Sequence, residues 1–294
     1  MTPGLQADLS GAITTASGGS FDCVHTAPLA GGCIHQVYSL LGRDGRHFFA
    51  KLNRDANLGM FEAEADGLRE LAAADAIRVP RPLACGSNGH EAYLILEWLD
   101  LGGQARPADL GRRLALLHGH CQGEHGWWRD NHIGSTPQLN SPMSDWIAFY
   151  GSRRLRPQFE LAERHSAPTR LLRQGDRLLE RLGAFFPGYH PLPSLLHGDL
   201  WGGNHGYVEE EPVLFDPAVY YGDREVDLAM SELFGGYPPS FHAAYQESWP
   251  LDPGYPVRKH LYNLYHVLNH FNLFGGGYAA QAERMVARLL AQAG

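Results

Sequence analysis

The fold is decided by residues 195–204, which read Leu-Leu-His-Gly-Asp-Leu-Trp-Gly-Gly-Asn. Within this stretch His197, Asp199 and Asn204 follow the pattern H-x-D-x-x-x-x-N, which puts a carboxylate and a carboxamide on one short loop. Residues 213–217 read Val-Leu-Phe-Asp-Pro, an apolar strand that ends in the carboxylate of Asp216. Two successive loops therefore carry two carboxylates and one carboxamide. Their spacing in the sequence lets them face different atoms of one substrate.

This combination of side chains is typical of kinase-type phosphoryl transfer. In such sites one Asp accepts or orients the proton of the acceptor hydroxyl, while an Asn and a second Asp hold Mg²⁺. We therefore predict that Asp199 is the catalytic base and that Asn204 and Asp216 are Mg²⁺ ligands in an ATP-dependent small-molecule kinase. An isolated His-Gly-Asp triplet would indicate a surface turn, so the prediction depends on the spacing of all three residues.

Lysine is rare in this chain, because only Lys51 and Lys259 occur among 24 basic residues. Lys51 ends the apolar run of residues 47–50 on a predicted third strand. A compact ammonium fits between phosphates and a carboxylate, where a planar guanidinium does not substitute freely. We predict that Lys51 binds ATP phosphates, with a snorkelling surface lysine as the alternative. Its expected partner is Glu64 or Glu62, and Glu64 is favoured because it flanks the apolar stripe of the next helix.

A glycine turn precedes this strand. Gly31 and Gly32 lie between two predicted strands, where the missing Cβ atoms would let backbone N–H groups approach the phosphates. Cys33 follows directly, and a thiol beside Lys51 would be susceptible to oxidation that switches activity off reversibly. A small buried hydrophobe is the alternative interpretation of Cys33.

Two other segments complete the predicted site. Glu97, Trp98 and Leu99 end the strand that is expected to connect two lobes, and their backbone groups are expected to hydrogen-bond adenine. Asp227 is expected to support the loop by capping its own helix and by hydrogen-bonding at His197.

Hydrophobic periodicity predicts a β-rich first third and a mostly helical remainder. A boundary near residue 100 divides a nucleotide-binding lobe with its hinge, residues 1–100, from a catalytic and acceptor-binding lobe, residues 101–294. Expected strands cover residues 21–28, 33–41, 46–52 and 91–101. Expected helices cover residues 4–16, 60–74, 107–118, 141–163, 168–186, 223–234, 242–249, 256–271 and 278–293, the fourth of them capped at Ser141-Pro142.

Composition excludes several classes of protein. The net charge of −8 and the absence of a basic stripe argue against nucleic-acid binding. No apolar run approaches the ~18–20 residues of a membrane span. The four cysteines lack C-x-x-C spacing, which indicates a reducing compartment without structural zinc. Since residues 1–20 also lack the pattern of a secretory signal, we expect a cytoplasmic protein.

Five segments resemble the fructosamine/ketosamine kinase family. They are H-G-D-L-W-G-G-N with F-D-P-A-V-Y-Y-G-D-R-E-V-D-L-A-M, G-G-C-I-H-Q-V-Y-S-L, M-F-E-A-E-A-D-G-L, and Y-N-L-Y-H-V-L-N-H-F-N-L-F-G-G-G-Y. The resemblance covers roughly residues 15–285, and Gly202, where a Ser is also common, is a mild departure from it. It implies an α+β, protein-kinase-like two-lobe fold, as in aminoglycoside phosphotransferases and choline kinases, with a small antiparallel β lobe that carries one long helix and a larger, mostly α-helical lobe.

The same resemblance implies ATP- and Mg²⁺-dependent phosphorylation of the 3-hydroxyl of ketosamines, such as ribulosamines or fructosamines on amines and protein lysines. Because that phosphate makes the adduct labile, the implied role is deglycation repair. The implied substrate is a free ketosamine or a glycated protein lysine, and the chain is expected to be a monomer or a homodimer.

The residues around the loop agree with a small acceptor. Trp201, beside the predicted base, offers a flat face for a sugar ring. His270 belongs to an aromatic and amide-rich stretch that is a candidate acceptor wall, with ordinary helix packing as the alternative. Only ten residues separate Asp216 from Asp227, which leaves no room for a long activation segment. Two alternatives stay open: a kinase of the same fold acting on an aminoglycoside, a choline-like compound or another amino-alcohol, and an inactive ATP-binding scaffold.

Overall fold

The structure, a computed structural model, describes residues 1–30 and 34–294. By internal packing these residues divide into two compact units, residues 1–105 with 206–215 and residues 106–205 with 216–294. The division of the chain into functional domains of residues 1–100 and 101–294 stays a prediction.

The first unit is built on a five-stranded antiparallel sheet in the order β1-β2-β3-β5-β4. Its strands are β1 (Cys23–Pro28), β2 (Gln36–Gly42), β3 (His47–Arg54), β4 (Pro82–Ser87) and β5 (Glu91–Glu97). The strand β3 lies in the middle, and its Lys51 is opposite Val37 on β2 and Leu94 on β5. A hairpin of β9 (His205–Val208) and β10 (Glu211–Leu214) also contributes to this unit.

Two helices cover this sheet, α1 (Pro3–Ser17) and α2 (Leu58–Ala73). Leu5, Leu9 and Ile13 of α1 are buried in the same core cluster as Leu40 and Ile95 of the sheet. A 3₁₀ turn over Asp55–Asn57 connects β3 with α2. The buried face of α2 includes Phe61, Ala65 and Leu68, the residues whose helical spacing predicted it.

The second unit is mostly helical. Its helices are α3 (Pro107–His118), α4 (Trp146–Phe149), α5 (Arg156–Arg164), α6 (Thr169–Leu179), α7 (Glu225–Ser231), α8 (Pro239–Ser248), α9 (Tyr255–Phe274) and α10 (Tyr278–Gln292). A π-helical turn over Tyr150–Leu155 continues α4 into α5, and a 3₁₀ turn covers Leu182–Phe185. Two short antiparallel pairs complete it: β6 (Asn131–Ile133) with β7 (Thr136–Gln138), and β8 (Ser194–Leu196) with β11 (Tyr220–Gly222).

The predicted helix over residues 141–163 begins later than expected. Asp145 caps it by accepting a hydrogen bond from the Ala148 N–H at 2.6 Å, and α4 starts at Trp146. The Ser141-Pro142 signal does not open a helix, because Met143 and His125 exchange two backbone hydrogen bonds of 2.9 Å. Long-range pairing has therefore displaced a local capping preference.

Other boundaries differ as well. The strand expected over residues 91–101 ends at Glu97, and the helix expected over residues 168–186 ends at Leu179. The strand β4 was not predicted, since Pro82 reads as a breaker. Pro82 is tolerated there because β4 lies at the edge of the sheet, where a missing N–H breaks no ladder. Among the described residues, no helix is both long enough and apolar enough to cross a bilayer.

Candidate active site

The loop of residues 197–204 leaves β8 at Leu196 and is fixed where it starts. Gly198 has a φ of +82°, and a Cβ there would lie 2.1 Å from the carbonyl oxygen of Ala218. The neighbouring carbonyl of His197 accepts a hydrogen bond from the Ala218 N–H at 2.8 Å. Glycine is required at position 198 for its backbone conformation and also for this close approach.

Asp227 of α7 holds the same turn from inside the second unit. Its carboxylate accepts hydrogen bonds from the backbone N–H groups of His197 (2.7 Å) and Gly198 (2.8 Å), and lies 3.2 Å from Nε2 of His118. Burial alone would raise the pKa of Asp227, but the hydrogen bond and charge of His118 and the Gly198 N–H outweigh it and lower that pKa. The carboxylate is therefore held ionised against the backbone of the loop.

The expected bond between Asp227 and His197 is thus present, and it uses the backbone of His197. The expectation that Asp227 also caps its helix is wrong. The residue at the N-cap position is Arg224, and the Glu225 N–H that follows it donates to Oδ1 of Asp223 at 3.0 Å. Asp227 lies in the first turn of α7, and its oxygens are occupied by the backbone of the loop.

Three polar side chains of the predicted chemistry come together around this loop. The side-chain N–H₂ of Asn204 donates to the carbonyl oxygen of Asp199 (2.9 Å), to the carboxylate of Asp199 (3.1 Å) and to the carbonyl oxygen of Asp216 (3.4 Å). Asp216 has a φ of +57°, in the left-handed region that residues other than glycine rarely adopt. A strained backbone at a polar residue is a common property of functional sites.

The electrostatics of this group favour a cation. Burial, and next the negative charge of Asp216, raise the pKa of Asp199 from 3.8 to about 7, and the hydrogen bond from Asn204 opposes that rise. The carboxylate of Asp216 and the carboxamide oxygen of Asn204 are hard oxygen donors of the kind that Mg²⁺ prefers. Two such ligands suit a metal that keeps several waters and nucleotide oxygens, and the residues present therefore fit Mg²⁺.

No group of three or more His, Cys, Asp and Glu side chains in residues 1–30 and 34–294 is arranged to hold a metal. A site completed by Asn and by nucleotide oxygens does not require such a group.

In the first unit, Lys51 Nζ lies 2.6 Å from Oε1 of Glu64. The Lys51 side chain is 5% exposed and that of Glu64 12%, so this is a largely desolvated pair. Glu64 is therefore the partner, as the apolar stripe of α2 favoured, whereas Glu62 is exposed. A buried ion pair of this kind fixes the position of the ammonium at the centre of the sheet.

Two of the three residues predicted to bind adenine, Glu97 and Trp98, already make contacts within the first unit. The Glu97 N–H donates to the Arg81 carbonyl at 3.0 Å, and its carboxylate pairs with Arg81 at 2.9 Å. The ring of Trp98 stacks on His47 with 3.9 Å between the ring centroids. The adenine-binding role expected for Glu97, Trp98 and Leu99 stays a prediction, and the Glu97 N–H is not available for it. The predicted Gly31, Gly32 and Cys33 lie outside the described residues.

Trp201 is 39% exposed beside Asp199. A Cβ at Gly203 would lie 2.2 Å from the Trp201 ring, so any larger residue there would displace the indole from its position across the loop. The Tyr237 hydroxyl donates to the Trp201 carbonyl at 3.3 Å. The indole thus presents an accessible aromatic face on a loop that is tied from both sides.

His270 of α9 belongs to an aromatic cluster. The centroid of its ring lies 4.4 Å from the ring centroid of Phe234, 5.2 Å from that of Tyr278 and 5.6 Å from that of Phe274. Burial lowers the pKa of His270, so its imidazole is neutral at pH 7. The segment of residues 234–237 contacts both this cluster and the carbonyl of Trp201, and it connects the two candidate acceptor residues.

Sequence reasoning missed His118. It is fully buried, and besides Asp227 it contacts the Tyr245 hydroxyl at 2.8 Å through Nδ1. Its position at the end of α3, 109 residues before Asp227, carried no signal in the sequence pattern.

The antiparallel sheet with its two helices and the mostly helical second unit define a fold of the protein-kinase-like class. An aminoglycoside phosphotransferase with bound ADP superposes with a TM-score of 0.63, covering 99% of this chain and 98% of that chain at 13% identity, which supports the fold alone. The sequence is more specific. The fructosamine kinase family model matches residues 5–292, and the chain belongs to that family.

Relatives agree with this assignment. A "Probable ketoamine kinase" of Synechocystis is 44% identical over 95% of this chain and 94% of its own length. A chloroplastic protein-ribulosamine 3-kinase of Arabidopsis thaliana is 42% identical over 88% of this chain and 80% of its own length. A crystal structure of a Haemophilus somnus protein provisionally named fructosamine-3-kinase has a TM-score of 0.87 and 26% identity, with 96% of each chain covered.

Proposed function

We propose that this protein transfers the γ-phosphoryl group of ATP to the 3-hydroxyl of ketosamines, and that it acts in deglycation. One observation carries the proposal: in a chain of the fructosamine kinase family, Asn204 hydrogen-bonds both Asp199 and the carbonyl of Asp216 beside the accessible face of Trp201. This arrangement supplies a base, two metal-binding oxygens and a sugar platform on two connected loops.

Asp199 is the proposed base. A group that accepts a proton works best when its pKa lies near the operating pH, and the pKa of about 7 at Asp199 meets that condition. The carboxylate orients the acceptor hydroxyl and takes its proton as the oxygen attacks phosphorus. Asp227 and Gly198 act indirectly, by fixing the loop on which this carboxylate stands.

Nucleotide binding is assigned to the remaining residues. Lys51, fixed by Glu64, is proposed to bind the phosphates of ATP, and the backbone near Leu99 to bind adenine. Asn204 and Asp216 would hold Mg²⁺, which neutralises charge on the transferring phosphoryl group when bound. Gly31 and Gly32 are proposed to cover the phosphates, and Cys33 to carry the redox sensitivity expected of a thiol at that turn.

Trp201 and His270 are proposed to contact the acceptor. The indole face suits the apolar face of a sugar, and the neutral imidazole of His270 does not repel a protonated amine. Free ketosamines and glycated protein lysines share this chemistry. A monomer or homodimer in the cytoplasm is part of the same proposal.

A substrate panel tests the proposed function. The values of kcat/KM for a ribulosamine, a fructosamine, kanamycin and choline would be compared with ATP and Mg²⁺ present. The proposal expects the ketosamines to exceed kanamycin and choline by at least about 10³-fold, because a site that pairs polar groups rejects acceptors that leave those groups unpaired. Preference for kanamycin or choline would indicate an amino-alcohol kinase. ATP binding without turnover of any acceptor would indicate an inactive scaffold.

A further inference from the structure

The segment that follows Asp216 is held along its length by backbone hydrogen bonds. Tyr220–Gly222 forms β11 and pairs with β8, the strand that leads into the Asp199 loop. Tyr221 and Gly126 exchange two hydrogen bonds of 2.8 Å. The Ala218 N–H donates to the His197 carbonyl. These bonds leave the carbonyl groups of Ala218 and Val219 to be satisfied from elsewhere.

Two buried amide side chains of the β6–β7 hairpin bind those carbonyl groups. Gln138 Nε2 donates to the Ala218 carbonyl at 3.1 Å, and Asn131 Nδ2 donates to the Val219 carbonyl at 2.7 Å. Gln138 is 1% exposed and Asn131 4%. Each bond spans 80 residues or more of sequence, so the hairpin is attached to this segment by tertiary structure alone.

Neighbouring groups determine which way both amides face. Asn131 Oδ1 accepts from Gln138 Nε2 at 2.9 Å and from Asn140 Nδ2 at 2.8 Å, which leaves Asn131 Nδ2 for the Val219 carbonyl. The Tyr265 hydroxyl donates to Gln138 Oε1 at 2.8 Å. Reversing either amide would place two donors or two acceptors against each other. The amide nitrogens of Gln138 and Asn131 are therefore held in position to donate to the backbone that follows Asp216.

This attachment matters because the backbone of Asp216 is strained. A residue with a Cβ keeps a φ of +57° only where the surrounding structure imposes it. The clamped carbonyls belong to the second and third residues after Asp216, close enough to restrict its backbone. The contact of Asn204 with the Asp216 carbonyl, at 3.4 Å, is long for a hydrogen bond and restrains it less.

We propose that Gln138 and Asn131 are positioning residues that hold Asp216 in its metal-binding conformation, an inference that rests on the role proposed above for Asp216. In switchable kinases the segment after the metal-binding Asp is ordered by an activating event, such as phosphorylation. Here buried neutral amides order it permanently. The metal–nucleotide site therefore needs no activating modification.

The test compares two Gln→Met variants of similar shape. Gln138→Met removes the donor to the Ala218 carbonyl. Gln158→Met is the matched control, because Gln158 is 2% exposed and its amide bonds Asn269 and Asn272 of α9 rather than the backbone after Asp216. Binding of Mn²⁺·ADP to the full-length protein is measured by electron paramagnetic resonance, and folding by thermal melting.

The proposal expects Gln138→Met to weaken Mn²⁺·ADP binding by about tenfold or more, since it leaves a buried carbonyl without its donor. Gln158→Met should bind Mn²⁺·ADP with an affinity within about twofold of that of wild type. Its loss of melting temperature should be comparable to that of Gln138→Met. Equal weakening in the two variants, or none in Gln138→Met, would overturn the proposal. If Gln138→Met does not fold, Asn131→Ser takes its place in the comparison, because that substitution removes the bond to the Val219 carbonyl.

A further variant separates this inference from the proposed function. Asp216→Asn should abolish Mn²⁺·ADP binding if Asp216 is a metal ligand. Unchanged binding in Asp216→Asn contradicts the ligand assignment and removes the basis of the positioning role. Loss in Asp216→Asn together with normal binding in Gln138→Met contradicts the positioning role alone.

Discussion

Asn204 donates its side-chain N–H₂ to Asp199, at 2.9 Å to the carbonyl oxygen and 3.1 Å to the carboxylate. Because the amide nitrogen is directed at Asp199, the amide oxygen faces away from that carboxylate. The amide nitrogen therefore restrains the proposed base, and the amide oxygen has the orientation that the proposed Mg²⁺ ligand requires.

Replacing Asp199 should separate activity from folding. We expect Asp199→Asn to lower kcat by about 10²–10⁴-fold, because the proton acceptor is lost. The melting temperature should hardly change, since burial and Asp216 already disfavour the charged form of this residue. Steady-state kinetics and a thermal melt measure both quantities. Asp176→Asn, on an exposed position of α6, is the control. Near-normal turnover in Asp199→Asn would show that Asp199 is not the catalytic base.

The two lysines of the chain provide a matched pair. Lys51→Met should reduce kcat/KM for ATP by about 10²-fold or more, because a fixed charge that pairs with phosphate is lost and Glu64 is left without its ammonium. Lys259→Met should have little effect, since Lys259 pairs with Glu232 near the surface with side chains 28% and 29% exposed. If both variants keep the kinetics of wild type, Lys51 does not bind phosphate.

Two glycines of the loop of residues 197–204 should respond differently to the same change. Gly198→Ala is expected to destabilise the fold by about 2–4 kcal/mol, because its φ is +82° and its Cβ would collide with the Ala218 carbonyl. Gly202→Ala should be neutral within about 0.5 kcal/mol, since nothing lies within 4 Å of its Cβ position. Urea unfolding measures both, and comparable stabilities for the two variants would contradict the described loop.

The ionised carboxylate of Asp227 predicts how stability depends on acid. Its pKa in the folded protein is lower than the ordinary value of 3.8, so its stabilising contribution is present above that value and is lost as the pH falls through the lowered folded-state pKa. We expect the free energy of unfolding to fall more steeply below about pH 4 in wild type than in Asp227→Asn. Urea unfolding between pH 3 and pH 7 measures the difference. Parallel curves would show that Asp227 is not held ionised.

The sequence predicted the polar residues of the candidate site better than the buried residues that hold them in position. Lys51 and Glu64 were paired correctly because one apolar stripe defines which face of α2 is buried. The spacing of Asp199 and Asn204 likewise depends on a few consecutive residues, and local patterns are what a single sequence expresses. Their roles in catalysis stay predictions.

The supports could not be inferred because they are long-range. His118 reaches Asp227 across 109 residues, and Gln138 reaches the Ala218 carbonyl across 80. An isolated His or Gln carries no sign of such a partner. The same cause moved a helix start from Ser141 to Trp146, where pairing between Met143 and His125 prevailed over the local signal. Tertiary contacts of this kind override propensity without leaving a pattern.

The position of the transferred phosphate distinguishes the proposed reaction from its alternatives. A ribulosamine is incubated with ATP, Mg²⁺ and either wild type or Asp199→Asn, and the product is analysed by ³¹P–¹H correlation spectroscopy. We expect a phosphate coupled to the proton on carbon 3 of the sugar with wild type, and hardly any product with the variant. A phosphate on another carbon, or equal product from both proteins, would contradict the proposed reaction.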